Sequence, residues 1–302
     1  MPTITNKYNL PEEVYNALCS NRYSGDDDGR KTDYSATTLV APPQQVVLKR
    51  RYPDVHTEDA IDRVWSMFGS IAHTLLEEHG ADDSLTENRF YADVLGKTVS
   101  GQVDHYKDGT ITDYKTTSAF KVTKRSYDDW EKQLNVYAFL ARDNDLPVRG
   151  LRIIAIIRDW SERDANKAGY PKTPIVEIPI TMWEPSVAEQ FVIDRVLRLS
   201  VDEEMPDDEQ TPCTNEDMWA QPDIWAVMKE GRKTAIKLFD SLDAAKEHAG
   251  NMSDEAGNEV YVQHRKGERR RCSKYCTISS KCIQYKNYLE ETSNGEDNGE
   301  RS

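Results

Sequence analysis

The chain predicts an α/β fold with a central mixed sheet flanked by helices, and three stretches carry that prediction. Val99 to Lys115 reads as a β-hairpin, alternating apolar and polar residues on either side of an Asp-Gly turn at Lys107-Asp-Gly-Thr110. Leu151-Arg-Ile-Ile-Ala-Ile-Ile-Arg158 is a short β-branched run, as expected of a strand covered on both faces. Apolar residues at helical spacing surround these strands: Ile61, Val64, Trp65, Phe68, Ala72, Leu75 and Leu76, then Trp130, Leu134, Tyr137, Ala138 and Ala141.

Taken in order, residues 1–34 read as a flexible segment, with a short helix from Pro11 to Ser20 and a Gly/Asp-rich stretch at 24–30. A core over 35–200 follows. Ser35 and the adjacent threonines are N-cap residues, and Pro42-Pro43 opens a helix through Arg51. A longer helix is expected from about Glu58 to His79, and a strand from Glu87 to Ala92 that pairs with the hairpin. Thr116 to Tyr127 reads as a basic, hydroxyl-rich link; as a solvated loop or a phosphate contact, it leads into a helix from Tyr127 to Asp143. A strand over Thr173–Ile180 and an amphipathic helix over Ser186–Ser200 complete the core.

Residues 201–222 are an acidic linker holding Cys213. From 223 to 266 the pattern becomes a small ββαβ module, with a hairpin signal at Glu230-Gly231 and Ser241 as a helix N-cap. So small a module has little core of its own and calls for a staple. Residues 267–289 hold a cysteine cluster, and 290–302 form an acidic, Asn/Gly-rich tail expected to be disordered.

Composition narrows the function classes. A 37% hydrophobic content, a mean hydropathy of −0.76 and no long apolar run describe a polar protein with no membrane partner. Five cysteines, an odd number, without a signal-peptide pattern argue against a disulfide framework and for a cytoplasmic location. A net charge of −14 argues against non-specific coating of DNA. The acid is concentrated at 26–28, 202–209 and 290–300, whereas basic residues cluster at 49–51, 121–125 and 265–271, which leaves room for a local nucleic-acid groove.

The hairpin carries the chemistry. Alternation along a strand puts Asp113 and Lys115 on one face with Tyr114 opposite, and the turn brings Asp104 toward the same face. Two carboxylates can hold Mg²⁺ or Mn²⁺ while leaving waters in place, and an adjacent lysine can orient the attacking water or offset phosphate charge. The same residues also suit an ordinary surface hairpin. His73 and Glu77 lie on one side of their helix, where an isolated histidine is as compatible with a hydrogen-bonded core edge as with a metal. Cys272, Cys276 and Cys282, spaced C-x3-C-x5-C, need a fourth thiolate to make an S4 set for a [4Fe–4S] cluster or Zn²⁺. Cys213 is the first choice and Cys19 the second; reduced, metal-free thiols are the alternative. Arg269, Arg270 and Arg271 are expected to favour thiolate formation.

Four motifs in order resemble the PD-(D/E)XK nucleases, specifically the RecB-like branch that includes CRISPR-associated iron–sulfur nucleases and phage recombination exonucleases. Gly69-Ser-Ile-Ala-His73 matches G-x-x-x-H, Gly101-Gln-Val-Asp104 matches G-x-x-D, Asp113-Tyr-Lys115 matches [DE]-x-K, and Gln133-Leu-Asn-Val-Tyr137 matches Q-x-x-x-Y. The resemblance covers about Ser35 to Ile180. It implies a restriction-endonuclease-like core and a metal-dependent exonuclease that hydrolyses DNA from its ends, in phage or mobile-element recombination within a bacterial host cell. Asp104, Asp113, His73 and the Tyr114 carbonyl would form the metal shell and Lys115 would serve the nucleophile. Gln133, Tyr137, Lys121 and Lys124 would contact DNA. The branch often carries a glutamate where Glu87 stands, close to the metal; a surface role for it stays open. A [4Fe–4S] staple is implied at the cysteines, although the first spacing is one residue longer than usual and no cysteine stands at 41–42. The resemblance also admits a recombination or single-strand-binding protein partner and a homo-oligomer. The rival reading keeps the fold as a non-catalytic DNA-end-binding or partner-docking module.

Overall fold

The computed structural model describes residues 3–20, 29–55, 57–79, 84–256 and 260–297. It divides into two compact units, 1–46 with 53–204, and 47–52 with 205–302. The first unit runs β1 (Thr3–Thr5), α1 (Glu12–Cys19), β2 (Tyr34–Ser35), α2 (Ala36–Val40) and α3 (Pro43–Arg51), whose last residues belong to the second unit. It continues through β3 (Thr57–Asp59), α4 (Val64–Glu78), β4 (Leu85–Val94), β5 (Lys97–Lys107), β6 (Thr110–Thr117), α5 (Ala119–Lys124), α6 (Asp128–Asp143), β7 (Gly150–Ile157), β8 (Ile175–Ile180) and α7 (Pro185–Glu204).

The fold is α/β, with a mixed sheet of six strands flanked by helices. β5 is its spine: β4 pairs along almost its whole length on one edge, while the other edge holds β2 in parallel at Val99–Ser100 and β6 antiparallel at His105–Lys107. β6 then pairs in parallel with β7, and β7 antiparallel with β8. Asp108 and Gly109 both have positive φ, the pair a type I′ hairpin turn needs. In β7, Leu151, Ile153, Ala155 and Ile157 are buried while Arg152, Ile154 and Ile156 are half-covered, so one face is sealed and the other partly so. The predicted face of α6 is buried at all five positions.

Three expectations change. No residue of α4 is buried, and Trp65, Phe68 and Leu75 are exposed, so its apolar stripe is not a core face. The link before α6 folds into α5, because the Ser118 hydroxyl accepts the Lys121 N–H and Arg125 takes the left-handed C-cap conformation. The acidic linker begins later than expected, since α7 runs to Glu204 and Asp202 is buried within it, 3.8 Å from the Arg198 guanidinium. Much of the Gly/Asp-rich stretch, 24–28, lies outside the described residues.

The second unit contains α8 (Asn215–Met218), closed by a Thr214/Asp217 capping box, then β9 (Ile224–Lys229), β10 (Lys237–Phe239), α9 (Leu242–Ala256), β11 (Val260–Arg265), α10 (Arg270–Lys274) and α11 (Ile283–Asp297). β9 is central in a three-stranded antiparallel sheet, and Val227, Ala245 and Ala249 form its small core with Trp225 and Val262 packed beside them. The module therefore has the ββαβ order read from the sequence. α11 extends into the segment expected as a tail, and 298–302 lie outside the described residues. No helix among the described residues is long and apolar enough to cross a membrane.

Candidate metal centre

The site forms where β5 and β6 part. They pair over three residues only, from Lys107↔Thr110 to His105↔Thr112. One step further in that register Asp104 faces Asp113, and the β4–β5 register, constant from Thr86↔His105 to Asn88↔Val103, sets Glu87 opposite Asp104. Three acids thus stand side by side across neighbouring strands. At the fork the Asp104 carboxylate replaces a ladder bond by accepting the Tyr114 N–H at 2.7 Å.

α4 supplies the fourth group. It approaches β6 closely because residue 69 is glycine: a Cβ there would lie 3.3 Å from Thr116 Oγ1. One turn later the His73 Nε2 lies 2.9 Å from the Tyr114 carbonyl, which selects the tautomer that presents the Nδ1 lone pair to the carboxylates. That nitrogen is 3.6 Å from Asp104 and 3.7 Å from Glu87. Ligand atoms of His73, Glu87 and Asp104 all lie within 4.8 Å of one another, a set suited to one cation. The Tyr114 carbonyl, expected as a ligand, orients His73 here.

Asp113 is fully buried beside this set, with the Lys115 ammonium 2.7 Å from its Oδ2. Burial pulls the Lys115 pKa down, but Asp113, then Asp104, outweigh it and the net shift is upward, so the amine stays protonated. Burial first, then the Asp113 charge, push the Asp104 carboxyl up to about 7. His73 is raised as well: burial opposes its charged form, and Glu87 and Asp104 more than compensate. Burial and the Asp113 charge both disfavour a bare Asp104 carboxylate, and a divalent cation fits that donor set.

Glu87 has a second peculiarity. Its φ is +50°, in the left-handed region, inside a strand. That conformation costs a non-glycine residue roughly 1–2 kcal/mol. Strain of this kind collects at functional sites. The Gln102 amide donates to Glu87 at 2.7 Å and accepts from Arg89 at 2.8 Å, fixing the strained carboxylate. Sequence reading named Glu87 through a family resemblance but had no signal for its backbone or for Gln102. A cavity of about 1150 Å³ between α1, α4 and β4 reaches Glu87. Glu77 also lines it, outside the close ligand set.

The remaining predicted residues divide. Gln133 donates to the Tyr137 hydroxyl at 2.7 Å, so the two do meet. Tyr137, however, is only 5% exposed, its ring packed where a Cβ on Gly101 would come within 2.8 Å; it is a core residue whose hydroxyl pKa rises through burial and the nearby Asp113 and Asp104. Little of it is therefore open to solvent. Lys121 is held by Asp129 at 2.7 Å and lies 4.3 Å from the Trp130 ring centroid, a local pairing that competes with phosphate contact. Lys124 is exposed, its ammonium 6.0 Å from the Phe120 ring centroid.

None of the five cysteines is joined in a disulfide. Cys213 is tied to α11 by reciprocal 2.9 Å hydrogen bonds with the Gln284 side chain. Its thiol is pushed up to about 12, by burial, by Asp217 and by Cys282, Cys272 and Cys276, so its sulfur shares one electrostatic environment with the C-terminal three. Cys272 is pushed up to about 11 by burial and by its neighbours Cys276 and Cys282. The arginines do lower it, but burial and thiol–thiol repulsion win, which reverses the expectation of ready thiolates. Among the described residues the ligand atoms that meet within 4.8 Å are those of His73, Glu87 and Asp104; the cysteine sulfurs form no such group, so a metal or cluster there would have to draw them together. Cys19, at the end of α1, interacts with Tyr15.

No family model matches the chain, and no curated protein matches it. A solved structure described as "Crystal structure of SSO0001" is similar over 69% of this chain and 91% of its own, at 16% identity and a TM-score of 0.45.

Proposed function

We propose that the chain is a Mg²⁺- or Mn²⁺-dependent deoxyribonuclease of the PD-(D/E)XK class, on a restriction-endonuclease-like core, working from DNA ends in the manner of the RecB-like branch. One observation carries the reading: His73, Glu87 and Asp104 converge within 4.8 Å at a strand fork, beside buried Asp113 and its half-buried partner Lys115. A cation bound there supplies Lewis acidity toward a phosphodiester oxygen and activates water at neutral pH. His73, Glu87 and Asp104 hold it, with Asp113 at the adjoining position. Lys115, kept protonated by Asp113, stabilises negative charge on the phosphorus oxygens or orients the attacking water. His73 is aligned by the Tyr114 carbonyl, and Asp104 by the Tyr114 amide. Lys124 supplies phosphate contact. DNA ends are the partner, and a recombination context in phage or mobile elements follows the same resemblance.

In the second unit, Cys213, Cys272, Cys276 and Cys282 hold a [4Fe–4S] cluster that staples the chain's end, with structural Zn²⁺ as the second reading. A brown colour with broad visible absorption in anaerobically purified protein supports the cluster; a colourless sample containing stoichiometric zinc selects the other.

The test of the activity is nucleotide release from 5′- and 3′-labelled linear duplex and single strands with Mn²⁺, and its loss in Lys115→Ala, with folding checked by circular dichroism. Wild-type protein inert on linear and circular DNA with either metal overturns the proposal.

A further inference from the structure

On α4 and α5 lie three large aromatic rings open to solvent. Trp65 and Phe68 of α4 are 52% and 50% exposed, with ring centroids 5.9 Å apart, and Phe120 of α5 is 69% exposed. The backbone brings these elements together. The Arg158 N–H donates to the Thr117 carbonyl, and Asp159 accepts the Ala119 N–H, so the end of β7 lies against the start of α5. The Arg158 side chain extends from there over Trp65, its guanidinium carbon 4.9 Å from the ring centroid. Trp65 precedes Gly69 and His73 by one and two helical turns, and Phe120 follows Lys115 by five residues. The aromatic patch and the metal centre thus share both α4 and the β6–α5 segment.

Apolar burial alone does not explain the combination. Protein interfaces enrich Trp, Phe and Arg too, and α4 also exposes Ile71 and Leu75, but they deplete lysine, so Lys124 beside Phe120 is what favours a polyanion here. Here exposed rings alternate with cations, Arg158 over Trp65 and Lys124 near Phe120. Flat π-faces that stack bases, with cations for the phosphates between them, are the recognition chemistry of unpaired nucleic acid. We propose that Trp65, Phe68 and Phe120, with Arg158 and Lys124, form a stacking platform for a single-stranded segment of DNA whose backbone continues toward His73 and Lys115. The inference rests on the nuclease reading for where the strand leads, though not for the binding itself. In duplex DNA the bases stack on one another and their faces are unavailable to the platform, so it distinguishes unpaired from paired ends.

The experiment is fluorescence anisotropy of labelled oligo-dT and of a blunt duplex in EDTA, where no hydrolysis proceeds. Wild type is compared with Trp65→Ala, the double variant Trp65→Ala/Phe68→Ala, Phe120→Ala and the conservative Trp65→Phe. Each alanine change is expected to weaken oligo-dT binding at least about fivefold, with Trp65→Phe close to wild type and duplex binding far less affected. Mn²⁺ titration of the same variants should match wild type, because none of the rings belongs to the metal set. Oligo-dT affinity unchanged in the double variant overturns the platform, even if the protein cleaves DNA. Oligo-dT binding that depends on these rings in a protein that neither binds Mn²⁺ nor cleaves keeps the platform and overturns the nuclease reading. A wild-type dimer in light scattering that the double variant dissociates, without loss of oligo-dT binding, assigns the rings to a second copy and overturns the platform.

Discussion

Replacing Asp104 by asparagine separates what the site costs from what it does. In the metal-free protein the Asp104 carboxyl is pushed up to about 7 from an ordinary 3.8, by burial and then by Asp113. A folded-state pKa above the unfolded value means that the folded chain holds the proton more tightly. Stability therefore falls as pH rises from about 4 to about 7 and levels off above it. Each pH unit across that window is worth about 1.4 kcal/mol, which sets a ceiling of about 4 kcal/mol. Because His73 and Lys115 lie in the same field and offset part of the cost, about 1–3 kcal/mol is the expected share. The amide oxygen of the variant still accepts the Tyr114 N–H, so the fork should survive. Urea unfolding in EDTA should show Asp104→Asn more stable than wild type at pH 8, with a smaller gap at pH 5. Adding Mn²⁺ should stabilise wild type, as binding to the folded state alone requires, and leave the variant unmoved. A variant less stable than wild type at pH 8, or a difference independent of pH, refutes the electrostatic account of the site.

Three further outcomes follow from particular contacts. Glu87→Gly should be more stable than Glu87→Ala by about 1 kcal/mol, reversing the usual order in a strand, because only glycine relaxes at φ +50°; chemical denaturation ranks them, and alanine ahead of glycine removes the strain argument. Gly101→Ala sets a Cβ 2.7 Å from Leu140 and 2.8 Å from Tyr137, an overpacking cost of about 1–3 kcal/mol in the same assay. An unchanged urea midpoint would show that α6 does not need that approach. Cys276→Ser should abolish visible absorption and lower the thermal midpoint, while an identical melting curve denies the cysteines a stapling role.

Much of this architecture is legible in local pattern. The Asp108-Gly109 turn, the apolar face of α6 and the β-branched run of β7 obey rules that act within a few residues, and the ββαβ order of the small module follows from the same signals. The face of α4 misleads because helical periodicity reports that apolar residues share a side, and says nothing about whether another element covers it. The surroundings of Lys121 and Tyr137 are hidden from local pattern for the same reason. Whether Gly101 admits the ring depends on elements distant in sequence, and Asp129, eight residues from Lys121, captures the amine through the way α5 turns into α6. Glu87 shows the limit most clearly. Its approach to Asp104 follows from the register of β4 against β5, but its left-handed backbone leaves no trace in residue type, since nothing in Thr86-Glu87-Asn88 marks a φ of +50°.

The most direct test of the central claim is an anomalous difference map from crystals of wild-type protein soaked in Mn²⁺. The account predicts a peak about 2.0–2.3 Å from His73 Nδ1 and from a carboxylate oxygen of both Glu87 and Asp104. A map with strong peaks elsewhere and none at the β5–β6 fork contradicts it.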